Sequence, residues 1–286
     1  MSNDRRTCRI AHLSDLHVLA PSGAPRGPAS LALRTRIASL GRALDPACRI
    51  DKLLAALDAA KERGASHFVF SGDLTELGTE AQFEALAEAL HASKIDPDAI
   101  TLVPGNHDSY SAPGSWRRAL EGPLAAFRRS SADEPGKVVE VGGMTLLPVD
   151  VACHQPLGRA AGELTSDVAD ALERRLRDCA AMGRSAAIVL HHSPIPHGSR
   201  AWQWVDGLRG HQRMLDLLVR FEDACVLHGH FHYEVERSIG GGRPRVFGTT
   251  ATVEDANGAP RVRIYEVSDA ALDTPLLSMA PLRAAA

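Results

Sequence analysis

The sequence predicts an α/β fold. Two observations carry that expectation: short apolar runs alternate with stretches of helical periodicity, and polar strings follow directly where those runs end. Composition agrees. With 286 residues, 44% hydrophobic and 23% charged, the chain has the length and residue usage of a packed globule rather than of a disordered, fibrous or coiled-coil protein.

Arg9 to Leu13 is the first expected strand. Residues 18–46 follow, rich in Pro, Gly, Ser and Arg. A connection of that length is usually functional, and it is expected to be a long loop serving as a cap over a site. Leu53, Leu54 and Leu57 begin a helical face that stops near Gly64, and His67 to Phe70 is a short buried strand. Thr79 with Gln82 three residues on is a capping box, opening a helix marked by Phe83, Leu86 and Leu90. Ile100 to Val103 is the next strand. Val138 to Val141 and Met144 to Val149 flank Gly142-Gly143, a hairpin signal that brings antiparallel pairing into the sheet. A helix over Ser166 to Met182, a strand over Ser185 to Leu190, a helix over Gln212 to Phe221 and a strand over Ala224 to Leu227 continue the alternation. Strands at Tyr233 to Ile239, Arg245 to Phe247 and Arg261 to Val267 close it. No repeat or linker interrupts the pattern, so residues 1–286 are expected to form a single domain.

Charge and hydropathy exclude several classes. A net charge of -3, from 32 basic and 35 acidic residues, gives no field to hold a polyanion, so nucleic acid is disfavoured as a partner. No apolar run approaches the roughly 20 residues that span a bilayer, and Met1 to Arg6 is polar, so no membrane partner and a cytoplasmic location are expected. The sequence sets no oligomeric state. Cys8, Cys48, Cys153, Cys179 and Cys225 show no paired spacing, which argues against a disulfide framework or a cysteine zinc site. Nothing marks Cys153 or Cys225 as a nucleophile. Gly136-Lys137 lacks the rest of a P-loop.

The thirteen histidines are informative because several cluster beside Asp, Asn and Gly. Five strings stand at the expected strand ends: Asp15-Leu16-His17, Gly72-Asp73, Gly105-Asn106-His107-Asp108, His191-His192 and Gly229-His230-Phe231-His232. In α/β sheets ligands lie in the crevice beyond the carboxyl ends of strands, so the five strings can converge. Residues two apart in an extended chain share a face, which pairs Asp15 with His17 and His230 with His232. The resulting nitrogen and oxygen donors suit divalent transition metals, and they are too many for one tetrahedral zinc. Two ions about 3.5 to 4 Å apart would attract a phosphate, activate water and stabilise both oxygens of an in-line displacement. The expected chemistry is hydrolysis of a phosphate ester by a hydroxide held between the ions. His107 is the expected proton donor to the leaving oxygen, with Asp108 orienting its imidazole or capping the next helix.

The ordered strings Asp-x-His, Gly-Asp, Gly-Asn-His-Asp, His and Gly-His-x-His resemble the signature of the calcineurin-like metallophosphoesterases, over Asp15 to His232. The resemblance implies a four-layer α/β/β/α sandwich, two mixed sheets flanked by helices, with a dinuclear metal site at strand ends. It implies one ion held by Asp15, His17, Asp73 and His232 and a second held by Asp73, Asn106, His191 and His230, with Asp73 as the bridge. Leu190-His191-His192-Ser193-Pro194 is similar to the His-His-Pro-Pro string of bacterial phosphodiesterases in this family. His191 is therefore the expected ligand, and His192 is expected to face substrate or to lie in the outer shell. His197, with Trp202 and Trp204, is a candidate for the substrate pocket. The arginines of the 18–46 stretch, Arg26, Arg34, Arg36 and Arg42, are candidates to clamp phosphate. His12 and His228 are expected to be packed or outer-shell residues. The implied cofactors are two divalent ions among manganese, iron, zinc and cobalt, with manganese or iron favoured. The implied partner is a small-molecule phosphodiester substrate of the cyclic-nucleotide or glycerophosphodiester type. The alternatives are a phosphomonoesterase, including a phosphoprotein phosphatase, and a non-catalytic scaffold on the same fold.

Overall fold

Strands whose inward and outward residues are both apolar must be covered on both faces. The central strands meet that requirement in a computed structural model that describes residues 8–21, 29–39, 41–242, 245–254, 261–267 and 278–280. One sheet has five strands, in the order β13 (Ser278–Ala280), β12 (Arg263–Val267), β1 (Cys8–Leu13), β2 (His67–Ser71) and β3 (Ile100–Val103). The other has six, in the order β10 (Val235–Arg237), β11 (Val246–Gly248), β9 (Ala224–His228), β7 (Ala186–Val189), β5 (Met144–Pro148) and β4 (Val139–Val141). A small parallel pair, β6 (Gly162–Glu163) with β8 (Leu208–Arg209), lies apart from both.

Both large sheets are mixed. β1, β2 and β3 run parallel, with Leu13 opposite Phe70 and Phe70 opposite Leu102, while β12 is antiparallel to β1. In the second sheet β5, β7, β9 and β11 run parallel, and β4 and β10 are antiparallel edges. Parallel register sets the carboxyl ends of neighbouring strands side by side, and every polar string follows such an end.

Alternation along the strands divides the apolar side chains into three layers. Phe68, Phe70 and Leu102 pack outward against α2 (Pro46–Glu62), α3 (Glu80–Ala92) and α4 (Ser115–Glu121) through Leu53, Leu57, Phe83, Leu86, Trp116 and Leu120. Ile188 and Val226 pack outward against α5 (Ser166–Ala181) and α7 (His211–Arg220) through Leu172, Leu176, Met214 and Leu217. Between the sheets, Ile10, Val69 and Tyr265 meet Leu146, Val189, Leu227 and Phe247. Each fully buried side chain of this size contributes about 1.5–3 kcal/mol. The expected four-layer sandwich is the observed architecture.

Local signals act as expected. Asp45 caps α2 by accepting from Cys48 N at 3.1 Å, with Pro46 in the first turn. The capping box of Thr79 and Gln82 opens α3. Gly142 and Gly143 both have positive φ, 53° and 86°, as a two-residue turn between β4 and β5 requires. The reading of 18–46 as a loop is corrected: Val18 bridges to Thr75, and Ala29–Ala38 forms a helix, α1. Arg26 and the opening Met1 to Arg6 lie outside the described residues. α4, α6 (Arg200–Asp206), β6 and β8 were not expected, because elements of two to seven residues hold too few turns or alternations to show a period. Among the described residues, no helix is long and apolar enough to cross a membrane.

Candidate metal centre

The chain turns sharply as it leaves the strands. Among the described residues six non-glycine residues have left-handed φ, and five of them are Asp15 (54°), His17 (46°), Asp73 (48°), His230 (72°) and His232 (57°). That conformation costs an L-residue on the order of 1 kcal/mol and is concentrated at functional sites. Backbone bonds between the loops hold it: Asp15 N donates to Gly72 O at 3.0 Å, His17 N to Asp73 O at 2.9 Å and Gly229 N to His191 O at 3.1 Å. Glycine is required where these loops touch. A Cβ on Gly105 would overlap the Asp73 carboxylate, and one on Gly229 would overlap the side chains of Ser14 and Asp15.

The loops bring donor atoms from distant parts of the sequence together. Donor atoms of Asp15, His17 and His232 lie within 4.8 Å of one another, and so do those of Asp73, His191 and His230. Hydrogen bonds fix which imidazole nitrogens are free. His191 Nδ1 donates to Ser71 O at 2.8 Å, leaving the Nε2 lone pair 3.2 Å from Asp73 Oδ2. His232 Nδ1 donates to Glu254 Oε1 at 2.9 Å, leaving Nε2 3.1 Å from Asp15 Oδ1. His230 Nε2 donates to Asp206 O at 2.9 Å, which leaves Nδ1 free.

Buried polar atoms without partners test whether these residues fit cations. Asp15 Oδ1, Asn106 Oδ1 and His191 Nε2 are all buried and make no hydrogen bond. Buried polar atoms without partners are costly, about 1–3 kcal/mol each, and a carboxylate oxygen, an amide oxygen and an imidazole nitrogen gathered beside a second carboxylate call for positive charge, supplied by a proton on the imidazole or by a cation. The Asn106 amide is oriented for this, because Nδ2 donates to Tyr110 Oη at 3.0 Å and turns Oδ1 the other way. The residues fit a pair of divalent ions.

Electrostatics agree. Burial opposes ionisation of Asp73, yet the imidazoles of His191 and His107 outweigh it and hold the carboxyl well below its usual range. Burial likewise opposes charge on His191 and His232, but Asp73 raises the first to about 9 and Asp15 raises the second to about 10. Protons on these imidazoles do part of what cations would do, so ions must displace them to bind.

A ring of charge surrounds the donors. Glu76 is fully buried three residues after Asp73, paired with Arg49 and, at 3.0 Å, with Arg42. Its carboxylate, His17 and His107 also lie within 4.8 Å of one another. Two guanidiniums already compensate that carboxylate, which sets it apart from the two donor sets. Arg42 further reaches Glu254 at 3.5 Å and His17 Nδ1 at 3.5 Å, and Arg49 also donates to His17 O. Glu76, Arg42, Arg49, Asp206 and Glu254 all shape the site, and only Arg42 was a sequence candidate. It is committed to ion pairs rather than free to clamp phosphate. Arg34 is spent on Tyr110 O at 2.6 Å, and Arg36 is exposed.

His107 faces the donors: its backbone N–H donates to Asp73 Oδ1 at 2.9 Å, and Nε2 lies 3.8 Å from Asp73 Oδ2. The role expected of Asp108 is corrected. Its carboxylate does not touch His107; it accepts from Leu74 N, Thr75 N, Thr75 Oγ1 and Gly105 N at 2.7 to 3.0 Å. Asp108 therefore clamps the loop that carries Asp73, and it is Glu76 O that accepts from His107 Nδ1, at 2.8 Å. His192 is fully buried, with Nε2 donating to Ala160 O at 2.6 Å and its ring 4.4 Å from that of His230, which favours the outer shell over contact with substrate. His197 is partly exposed, 3.4 Å from Asp206 Oδ2. Trp202 and Trp204 are exposed on α6. His12 is packed between the sheets against Ser71 Oγ at 2.8 Å, and His228 is buried with Nδ1 2.8 Å from Gly229 O.

Residues 8–234 match the calcineurin-like phosphoesterase family. A 3',5'-cyclic adenosine monophosphate phosphodiesterase, CpdA, of Pseudomonas aeruginosa is 28% identical over 237 residues, 81% of this chain and 72% of its own length. A probable cyclic nucleotide phosphodiesterase of Synechococcus is 26% identical over 233 residues, 81% of this chain and 76% of its own length. Among solved structures, a dimetal phosphatase from Danio rerio shares the fold at a TM-score of 0.67 and 12% identity, over 92% of this chain and 95% of that one. The sandwich, the converging donors and the match over most of the sequence lead to one conclusion: the chain belongs to the calcineurin-like phosphoesterase family and is a dinuclear-metal phosphoesterase.

Proposed function

We propose that the enzyme hydrolyses small-molecule phosphodiesters, with a cyclic nucleotide as the favoured class and a glycerophosphodiester as the next. The observation that carries the reading is the pair of donor sets with orphaned buried acceptors, Asp15 Oδ1, Asn106 Oδ1 and His191 Nε2. The substrate class rests on the relatives, two of which are named as cyclic nucleotide phosphodiesterases. The cytoplasmic setting is the one such a substrate implies.

In this reading Asp15, His17, Asp73 and His232 hold one ion, Asp73, Asn106, His191 and His230 hold the other, and Asp73 is shared. Manganese or iron is the favoured metal for these donors. The bound pair supplies an activated water and positive charge for the attacking and leaving oxygens. The remaining steps belong to the chain. His107 keeps its Nδ1 proton on Glu76 O, so Nε2 is the atom turned to the leaving oxygen. Asp108 fixes the Asp73 loop. His192 buttresses His230 through ring contact, and His197, the most open of these imidazoles, is left on the substrate side.

The test compares bis-p-nitrophenyl phosphate with p-nitrophenyl phosphate on manganese-loaded protein, followed by 3',5'-cyclic AMP and glycerophosphocholine. The expected result is a higher kcat/KM for the diester of the first pair and for the cyclic nucleotide of the second. Preference for the monoester would overturn the diesterase reading.

A further inference from the structure

α6 buries none of its residues, so apolar packing does not hold it. Polar ties do, and they gather at its carboxyl end. The Gln203 side chain accepts from His197 N at 2.8 Å and donates to Leu208 O at 2.9 Å. Ala160 N donates to Val205 O at 2.8 Å, and Arg159 donates to Trp204 O at 3.2 Å while its guanidinium covers the Trp204 ring at 4.4 Å. The helix then ends on Asp206, with no basic residue in its last turn. A carboxylate at that end opposes the helix dipole, and a residue that breaks a local rule is one to examine for a functional reason.

The surroundings of Asp206 supply the reason. His230 Nε2 lies 3.0 Å from Asp206 Oδ1 and 2.9 Å from Asp206 O, so one N–H faces two acceptors of the same residue. His230 is almost wholly enclosed and belongs to the set with Asp73 and His191, and with Nε2 held by Asp206 its Nδ1 is the nitrogen left for an ion. Glu254 occupies the equivalent place behind His232 but is shared with Arg42, whereas Asp206 pairs only with the imidazoles of His230 and His197 among the described residues. The carbonyl alone would fix the tautomer. The carboxylate adds a negative charge behind the ring, which makes its free nitrogen a stronger donor.

We propose that Asp206 is a positioning residue, which orients His230 and strengthens it as a ligand, and so ties the surface helix α6 to one of the two ions. This rests on the metal centre described above. The test titrates manganese into metal-free full-length protein, counting bound ions by metal analysis and following their coupling by electron paramagnetic resonance. Wild type is expected to bind two ions. Asp206→Ala is expected to weaken one of them about 10-fold or more and leave the other unchanged, with a mononuclear signal at intermediate manganese. Asp206→Asn, which keeps the hydrogen bond without the charge, is expected to fall between. Two ions bound as in wild type by Asp206→Ala, or both ions weakened alike, would overturn the assignment. If Asp206→Ala fails to melt cooperatively, Asp206→Asn decides by the same criterion. A wild type that binds no ions removes the centre itself, a result distinct from failure of the Asp206 assignment.

Discussion

The two donor sets are walled by different chemistry. Behind Asp15, His17 and His232 stands a network of full charges, Glu76, Glu254, Arg42 and Arg49, whose arginines come from the segment between β1 and β2. Behind Asp73, Asn106, His191 and His230 stand mostly neutral groups: Ser71 O, Tyr110 Oη and Asp206 O, with the Asp206 carboxylate as the one full charge bonded to them among the described residues. The first set depends on an added segment docking correctly; the second is built largely from the sheet framework. Removing charge should therefore unsettle the first wall far more than the second.

The largest effect erases the comparison. Asp73→Ala removes the carboxylate assigned to both ions, and turnover of bis-p-nitrophenyl phosphate should fall at least about a thousandfold, roughly 4 kcal/mol of barrier. A loss under tenfold would mean that the two sets act independently.

Arg49→Met sharpens the contrast by leaving the buried Glu76 with less compensation. Breaking a buried pair from one side costs about 3–5 kcal/mol, to be read as a shift in urea midpoint at constant slope. Adding Glu76→Gln should recover part of that loss. An unchanged midpoint would show that Arg42 alone suffices.

His67 gives a pH effect far from either wall. Burial against Thr101 lowers its imidazole to about 4 from 6.5. As pH falls the unfolded chain takes up this proton first, so its contribution is complete above about 6.5 and is lost on the way down to about 4. The total is on the order of 3 kcal/mol. In metal-free protein, His67→Gln should flatten the fall of stability across that window; an unchanged slope would assign the effect elsewhere.

Glu254→Gln is the smallest change. It should weaken manganese at the first position by about tenfold, near 1.4 kcal/mol, and leave the second untouched, which metal titration resolves.

The strings that carry the donors were legible because each is contiguous and follows a strand end, and because parallel register then sets those ends together. The four layers were implied by the family resemblance those strings carry, while the alternation of strands and helices by itself predicted only an α/β fold. The charged wall was not legible. Glu76 stands three residues after Asp73, but of its partners Arg42 comes from the 18–46 stretch read as a long loop and Arg49 from the first turn of α2, and nothing in their spacing marks the pairing. Asp206 and Glu254 were hidden for the same reason: each acts through one histidine, on a segment too short or irregular to show a period. Asp108 misled because adjacency to His107 resembled an orienting pair, while its carboxylate turns to four donors of the neighbouring loop.

Anomalous diffraction from crystals grown with manganese examines the centre most directly. The expected map has two peaks, one coordinated by Asp15, His17 and His232, the other by Asn106, His191 and His230, with Asp73 touching both. A single peak, or a peak on Glu76 with the orphaned acceptors left bare, would contradict the account.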